Sequence, residues 1–243
     1  MKFVGVDLGW RSGETGLACL TWQDQRLQLQ AVTRHQEIDD ILGWIDQVLP
    51  APDLGLVAVD APTLIPNETG TRLSDRLTHQ YFGKYHAGCY PANLSRPFAE
   101  RTVGFGESLE DRGFMHAPSI TVQQPGRYQI EVFPHPAMVN LFQLSVILKY
   151  KKGNLATRKA ELQRLQDYFQ RVLPTLTPAL DLEDCPLLQL PSPITGKELK
   201  ALEDQLDAIF CAYIGAYWWY WGSERNLVLG DRQTGYIIVP QAV

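Results

Sequence analysis

Apolar residues along this chain fall into three kinds of run. Short runs at 2–9 (K-F-V-G-V-D-L-G) and 54–61 (L-G-L-V-A-V-D-A) carry no charge between their first residue and a late aspartate, Asp7 or Asp60. Apolar strands of that length belong in the middle of a sheet, covered on both faces. Period-two alternation is the second kind. It covers 26–33, where Leu27, Leu29 and Ala31 share one face against Gln28, Gln30 and Val32, as in a half-solvated strand. With a strand at 15–22 and the turn Gln23-Asp24-Gln25, the first three strands predict an antiparallel meander. Helical spacing is the third kind. It marks 37–49, ended by Pro50, then 155–173 with Leu162, Leu165 and Phe169, and 197–221 with Leu199, Leu202, Leu206, Phe210, Tyr213 and Tyr217.

A strand at 128–133, a helix at 136–148 and a hairpin of 226–229 with 236–239 complete the regular elements. Residues 64–127 are rich in Gly, Pro, Asn and Ser and predict a long loop with one short helix at 74–81. Their aromatics, Tyr81, Phe82, Tyr85, Tyr90, Phe98 and Phe105, argue for order rather than disorder. Residues 174–193 read as a Pro-rich connection. Together the elements predict one α/β domain over 1–243. It has a mixed sheet flanked by helices, a loop-rich insertion at about 64–127, and a C-terminal helix plus hairpin at 197–240.

Composition narrows the class. The chain has 243 residues, 45% hydrophobic and 20% charged, with a formal net charge of −5. That is ordinary globular composition without the overall basic footprint of many nucleic-acid binders. Charge is nevertheless uneven: in 147–171, Lys149, Lys151, Lys152, Arg158, Lys159, Arg164 and Arg171 face only Glu161 and Asp167. Four scattered cysteines form no CxxC pair, so neither a zinc site nor a disulfide framework is expected. The N-terminus enters a strand at once, and the longest uncharged run, 208–223, is shorter than the roughly 20 residues of a membrane span. A soluble cytoplasmic protein with no membrane partner is the expectation.

The chemistry rests on acids. Asp7 and Asp60 each end a buried strand, Glu131 lies in the strand at 128–133, and Asp207 sits at the edge of the long helix's apolar stripe, with Asp204 further out. Carboxylates gathered at one sheet end must be neutralised by protons or by a cation. Mg²⁺ or Mn²⁺ suits an oxygen-rich site, and a pair of such ions about 3.5–4 Å apart can drive phosphodiester hydrolysis. The predicted catalytic set is therefore Asp7, Asp60, Glu131 and Asp207, with Asp7, Asp60 and Asp207 as metal ligands. Arg96, Lys149, Lys151 and Lys152 are candidates for binding substrate phosphate, and Asp204 and His135 for accessory roles. The run Trp218-Trp219-Tyr220-Trp221 reads as core or an oligomer contact rather than a stacking platform.

Six motifs in this order carry a resemblance: V-G-V-D-L-G-W at 4–10, V-A-V-D-A-P at 57–62, E-V-F-P at 131–134, Y-K-K-G at 150–153, D-x-x-D-A at 204–208 and G-Y-I-I-V-P at 235–240. The chain resembles the family designated domain of unknown function 429, described as predicted nucleases of the RNase H-like fold. The resemblance implies an RNase H-like sheet and divalent-metal hydrolysis of nucleic acid, or of another phosphoester, by the four acids. Two other readings stay open. Asp7-Leu8-Gly9 with Ser12, Gly13 and Thr15 is also similar to the phosphate loop of actin-like ATP-binding phosphotransfer proteins, although no second copy follows. The chain is also consistent with a non-catalytic RNase H-like binding protein.

Overall fold

In the computed structural model of the protein, which describes residues 1–182 and 185–241, β1 (Lys2–Asp7) lies at the centre of a seven-stranded sheet. β2 (Thr15–Gln23) flanks it antiparallel and β4 (Gly55–Val59) flanks it parallel. β3 (Arg26–His35) continues the meander, and β7 (Ala179–Asp181) adds a short parallel edge. Beyond β4 lie β6 (Arg127–Glu131) and the two-residue β5 (Met115–His116), both parallel. The order is β5-β6-β4-β1-β2-β3-β7. The fold is mixed α/β, with the antiparallel start that the sequence pattern predicts. β1 and β4 occupy the middle because their uncharged runs tolerate burial on both faces.

Helices cover each face. On one, α1 (Ile38–Val48) and α3 (Ala99–Asp111) bring Ile41, Ile45, Phe105 and Leu109 against Val4, Val6, Val57 and Val59. On the other, α6 (Gly196–Trp221) crosses Phe3, Ala18, Leu56 and Ala58. α4 (Pro134–Leu141), α5 (Leu155–Arg171) and the hairpin of β8 (Asn226–Asp231) with β9 (Gly235–Pro240) pack around it. No helix among the described residues is long and apolar enough to cross a membrane.

Four details depart from the sequence pattern. A bulge between Cys19 and Leu20 pairs Leu20 with Leu29 but Cys19 with Ala31, so Gln30 is passed over. One extra residue reverses the faces beyond it, and Ala31 joins the α1 side while Leu27 and Leu29 stay on the α6 side. Residues 64–127 hold two helices, α2 (Leu73–Phe82) and α3, rather than one. α4 stops at Leu141, well short of 148, with Gln143 at φ 52° just beyond the end. Finally, α6 is buried all round from 206 to 219 instead of along one stripe. Trp218 and Trp219 are accordingly core residues.

The helix lies that close to the sheet because glycines face it. A Cβ on Gly5 would stand 1.9 Å from the Ala208 carbonyl oxygen, and one on Gly16 would stand 2.0 Å from that of Asp204. Both obstacles are backbone, so a methyl group cannot be accommodated by rotating a side chain. Gly5→Ala is expected to push α6 off β1 and cost about 1–3 kcal/mol or more, as overpacking does. Urea denaturation measures it. A variant as stable as wild type would show that the helix rides on the sheet less tightly than this contact requires.

Candidate functional site

Val6 pairs with Val59 across parallel strands, so the next residues, Asp7 and Asp60, leave adjacent strand ends side by side. The Asp60 amide extends the ladder by donating to the Val6 carbonyl at 2.8 Å. Alternation turns both side chains toward α6, the face that also takes Phe3, Leu56 and Ala58. Asp207 comes to the same face from α6 and is fully buried. The Tyr150 hydroxyl donates to its Oδ1 at 2.7 Å. The Lys151 ammonium lies 2.6 Å from Asp207 Oδ2 and 3.7 Å from Asp7 Oδ2, so one cation touches both acids.

The charges do not balance. Asp207 Oδ2 meets Lys151 as a charge contact and accepts no well-angled hydrogen bond. The Asp60 carboxylate has neither a hydrogen bond nor an ion pair among the described residues; only its backbone oxygen accepts, from the Trp10 indole at 3.0 Å. Burial pushes the Asp7 carboxyl up to about 7 against the pull of Lys151, with Asp207 and Asp204 adding to the rise. Burial and then the charge of Asp7 hold Asp60 well above the usual carboxylate range. Burial works against the Lys151 ammonium, but Asp207 and Asp7 outweigh it and hold lysine above its ordinary value. The lysine side chain is still 32% exposed, so water weakens this pair relative to a sealed one. The site is short of positive charge.

Glu131 lines one small cavity with Asp60 and adds to the rise of the Asp60 carboxyl, but it is held by a different partner. It pairs in register with Val59, one position before Asp60, and alternation sends it to the opposite face of the sheet. There it accepts two hydrogen bonds of 2.7 Å from Arg72, which also donates to Asp75 at 2.8 Å. All three side chains are buried. Burial raises the Glu131 carboxyl to about 7, opposed by Arg72. Asp204 is buried rather than displaced outward as the helical wheel suggests; Arg34 holds it at 3.2 Å and Lys200 also pairs with it. His135 is half-buried near Tyr150, ring centroids 5.7 Å apart, and its Nδ1 has no partner among the described residues. Burial and then Lys151 lower it to about 4, which keeps the imidazole neutral at pH 7.

Of the predicted phosphate contacts, Lys151 is among the acids, Lys149 and Lys152 are exposed on the same loop, and Arg96 lies beside Tyr90. A cleft of about 360 Å³ opens onto Asp7 and adds cations that the sequence pattern did not single out: Arg34, Lys197 and Lys200. Register explains Arg34. Asp7 pairs with Gly16, and Gly16 pairs with Arg34, so acid and guanidinium lie in one row across three strands.

Among the described residues, no group of three or more His, Cys, Asp or Glu side chains is arranged to hold a metal ion by itself. The family model described as Protein of unknown function (DUF429) matches residues 5–234. No curated protein matches the chain.

Proposed function

The chain belongs to the DUF429 family, and we propose that it is a divalent-cation-dependent hydrolase of phosphodiester bonds in nucleic acid, on an RNase H-like sheet. The carrying observation is the meeting of Asp7, Asp60 and Asp207 on one face with a single ammonium for three carboxylates. The meander of β1, β2 and β3, continued in parallel by β4 and β6, supports the RNase H-like reading. The donor chemistry suits a hard cation: among the described residues the Asp60 carboxylate is unpartnered, and Asp207 Oδ2 has charge contact without an aligned hydrogen bond. Mg²⁺ takes one or two carboxylates and completes its shell with water and substrate phosphate, so a closed protein cage is not required.

Asp7, Asp60 and Asp207 would hold the cation, with Lys151 giving way. When bound, the cation lowers the pKa of its water and neutralises charge developing on the phosphate. The remaining work belongs to side chains. Lys151, released from the acids, is placed to meet a phosphate oxygen, and Arg34, Lys197 and Lys200 line the cleft through which a charged backbone reaches Asp7. His135, kept neutral by burial and Lys151 and with Nδ1 unpartnered among the described residues, can accept a hydrogen bond at that atom rather than hold a charge. Glu131 is left out of the proposed ligands because Arg72 occupies both its oxygens on the opposite face. The deciding assay is cleavage of single-stranded, duplex and branched nucleic acids with Mg²⁺ or Mn²⁺. Stabilisation by ATP without cleavage favours phosphotransfer instead, and Mn²⁺ that binds neither wild type nor Asp7→Asn favours a non-catalytic protein.

Lys151 gives a sharper prediction. If its ammonium and the metal compete for the same acids, Lys151→Met should bind Mn²⁺ more tightly while turning over substrate more slowly. A partly exposed pair contributes about 1 kcal/mol, so the gain is roughly fivefold. Calorimetric Mn²⁺ titration of both proteins reads it. Equal affinities would place the metal away from the lysine and remove the competition.

A further inference from the structure

We propose that the groove formed by Trp10, Arg11, Tyr90, Arg96, Pro97 and Phe98 is a nucleobase-stacking subsite that gives the chain a preference for single-stranded nucleic acid. This rests on the phosphodiesterase reading above and names the substrate form. The groove measures about 470 Å³, within the usual range for small-ligand sites. Its wall is aromatic and held in place. Trp10 packs on Phe98 with ring centroids 4.7 Å apart, and Phe98 meets Tyr90 edge-on at 6.3 Å. Tyr90 is nonetheless 59% exposed, a large ring offered to solvent. The Arg96 guanidinium sits 5.1 Å from its centroid and fixes its orientation.

Two features point to a nucleotide rather than to a greasy ligand. Neither Arg11 nor Arg96 has an acidic partner among the described residues, and the Arg96 Nε is buried without a hydrogen bond. An aromatic wall beside Arg11 and an Arg96 whose guanidinium engages only Tyr90, its ring and its hydroxyl, suits a base and its phosphate. The groove also joins the acids. Trp10 and Tyr90 line, together with Asp60, a small cavity of about 50 Å³ behind the groove, and the Trp10 indole is hydrogen-bonded to the Asp60 backbone. The groove and Asp60 are thus neighbours through Trp10 and Tyr90, which puts a base on Tyr90 close to the acids. Bases in a duplex are stacked on one another and present no free face, so the occupant is an unpaired nucleotide.

The test is fluorescence polarisation of the full chain with labelled oligonucleotides, metal chelated, so that binding is read without turnover. Wild type should bind a base-containing single strand more tightly than an abasic strand of equal length or a duplex. Tyr90→Ala should weaken the single-strand complex roughly tenfold, the scale of one lost stacked base, and Tyr90→Phe should restore it. Arg96→Ala should lower the salt dependence by about one counterion. Equal binding of abasic and base-containing strands, no oligonucleotide binding at all, or Tyr90→Ala indistinguishable from wild type would each overturn the subsite. The two readings fail separately. Groove-dependent binding with no metal-dependent cleavage defeats the hydrolase reading and leaves the subsite standing. Cleavage that ignores Tyr90→Ala does the reverse.

Discussion

Asp7→Asn is expected to lower metal-dependent cleavage by at least roughly 10³-fold, the scale of losing a centre of transition-state charge stabilisation. The same variant should melt at or above the wild-type temperature without metal. Both halves follow from one imbalance. In the metal-free protein Lys151 contacts two of the three carboxylates and leaves Asp60 unpaired, and its ammonium is closer to Asp207 (2.6 Å) than to Asp7 (3.7 Å). Removing the Asp7 charge thus sacrifices the weaker contact and relieves repulsion among the acids. Metal reverses the ranking. Mg²⁺ at 100 times its Kd stabilises the protein that binds it by about 2.7 kcal/mol, worth roughly 5–10 °C for a chain of this size. The variant, short of a ligand, should gain little. Melting curves with and without Mg²⁺, beside a cleavage assay, measure both. Cleavage that survives the substitution, or equal stabilisation of both proteins, removes Asp7 from the centre of the site.

How far the sequence reveals this site depends on which residues must be related. Asp7 and Asp60 are legible because each is a charge at the end of an otherwise uncharged run, where packing alone would place an apolar residue. Asp207 is legible from the helical wheel. Glu131 shows the limit. Alternation within 128–133 places it opposite Ile130 and Val132, but only the pairing of Val59 with Glu131 says which of those faces Asp60 shares. Arg34 is hidden for the same reason: its row with Gly16 and Asp7 exists only once two strand registers are set.

The long helix misleads differently. The helical wheel places Asp204 outside the apolar stripe, yet it is buried, as are its neighbours Glu203 and Asp207. Arg158 pairs with Glu203, Arg34 and Lys200 with Asp204, and Lys151 with Asp207. Three of those four cations lie more than forty residues away in sequence. A periodicity argument sees charge but not its distant neutraliser. α3 escapes because Gly104 and Gly106 interrupt its pattern, although Phe105 and Leu109 anchor it.

The largest expected loss of stability lies on the other face of the sheet. Arg72 is the cation shared by Glu131 and Asp75, and the three side chains are removed from water together. Arg72→Met leaves two buried carboxylates facing each other without it, and a broken buried pair typically costs about 3–5 kcal/mol. Glu131→Gln keeps the shape and a hydrogen-bonding oxygen for Arg72, which retains Asp75, so about 1–2 kcal/mol is expected. Replacing all three charges at once should recover much of the Arg72→Met loss, because no charge is then stranded. Urea denaturation of the three variants gives the energies. The cleavage assay then separates support from chemistry, since Arg72 occupies both Glu131 carboxylate oxygens. Glu131→Gln should turn over substrate at a near wild-type rate wherever it remains folded. A folded Glu131→Gln that has lost cleavage would return Glu131 to the catalytic acids, and an Arg72→Met as stable as wild type would mean that the two acids are neutralised by protons rather than by arginine.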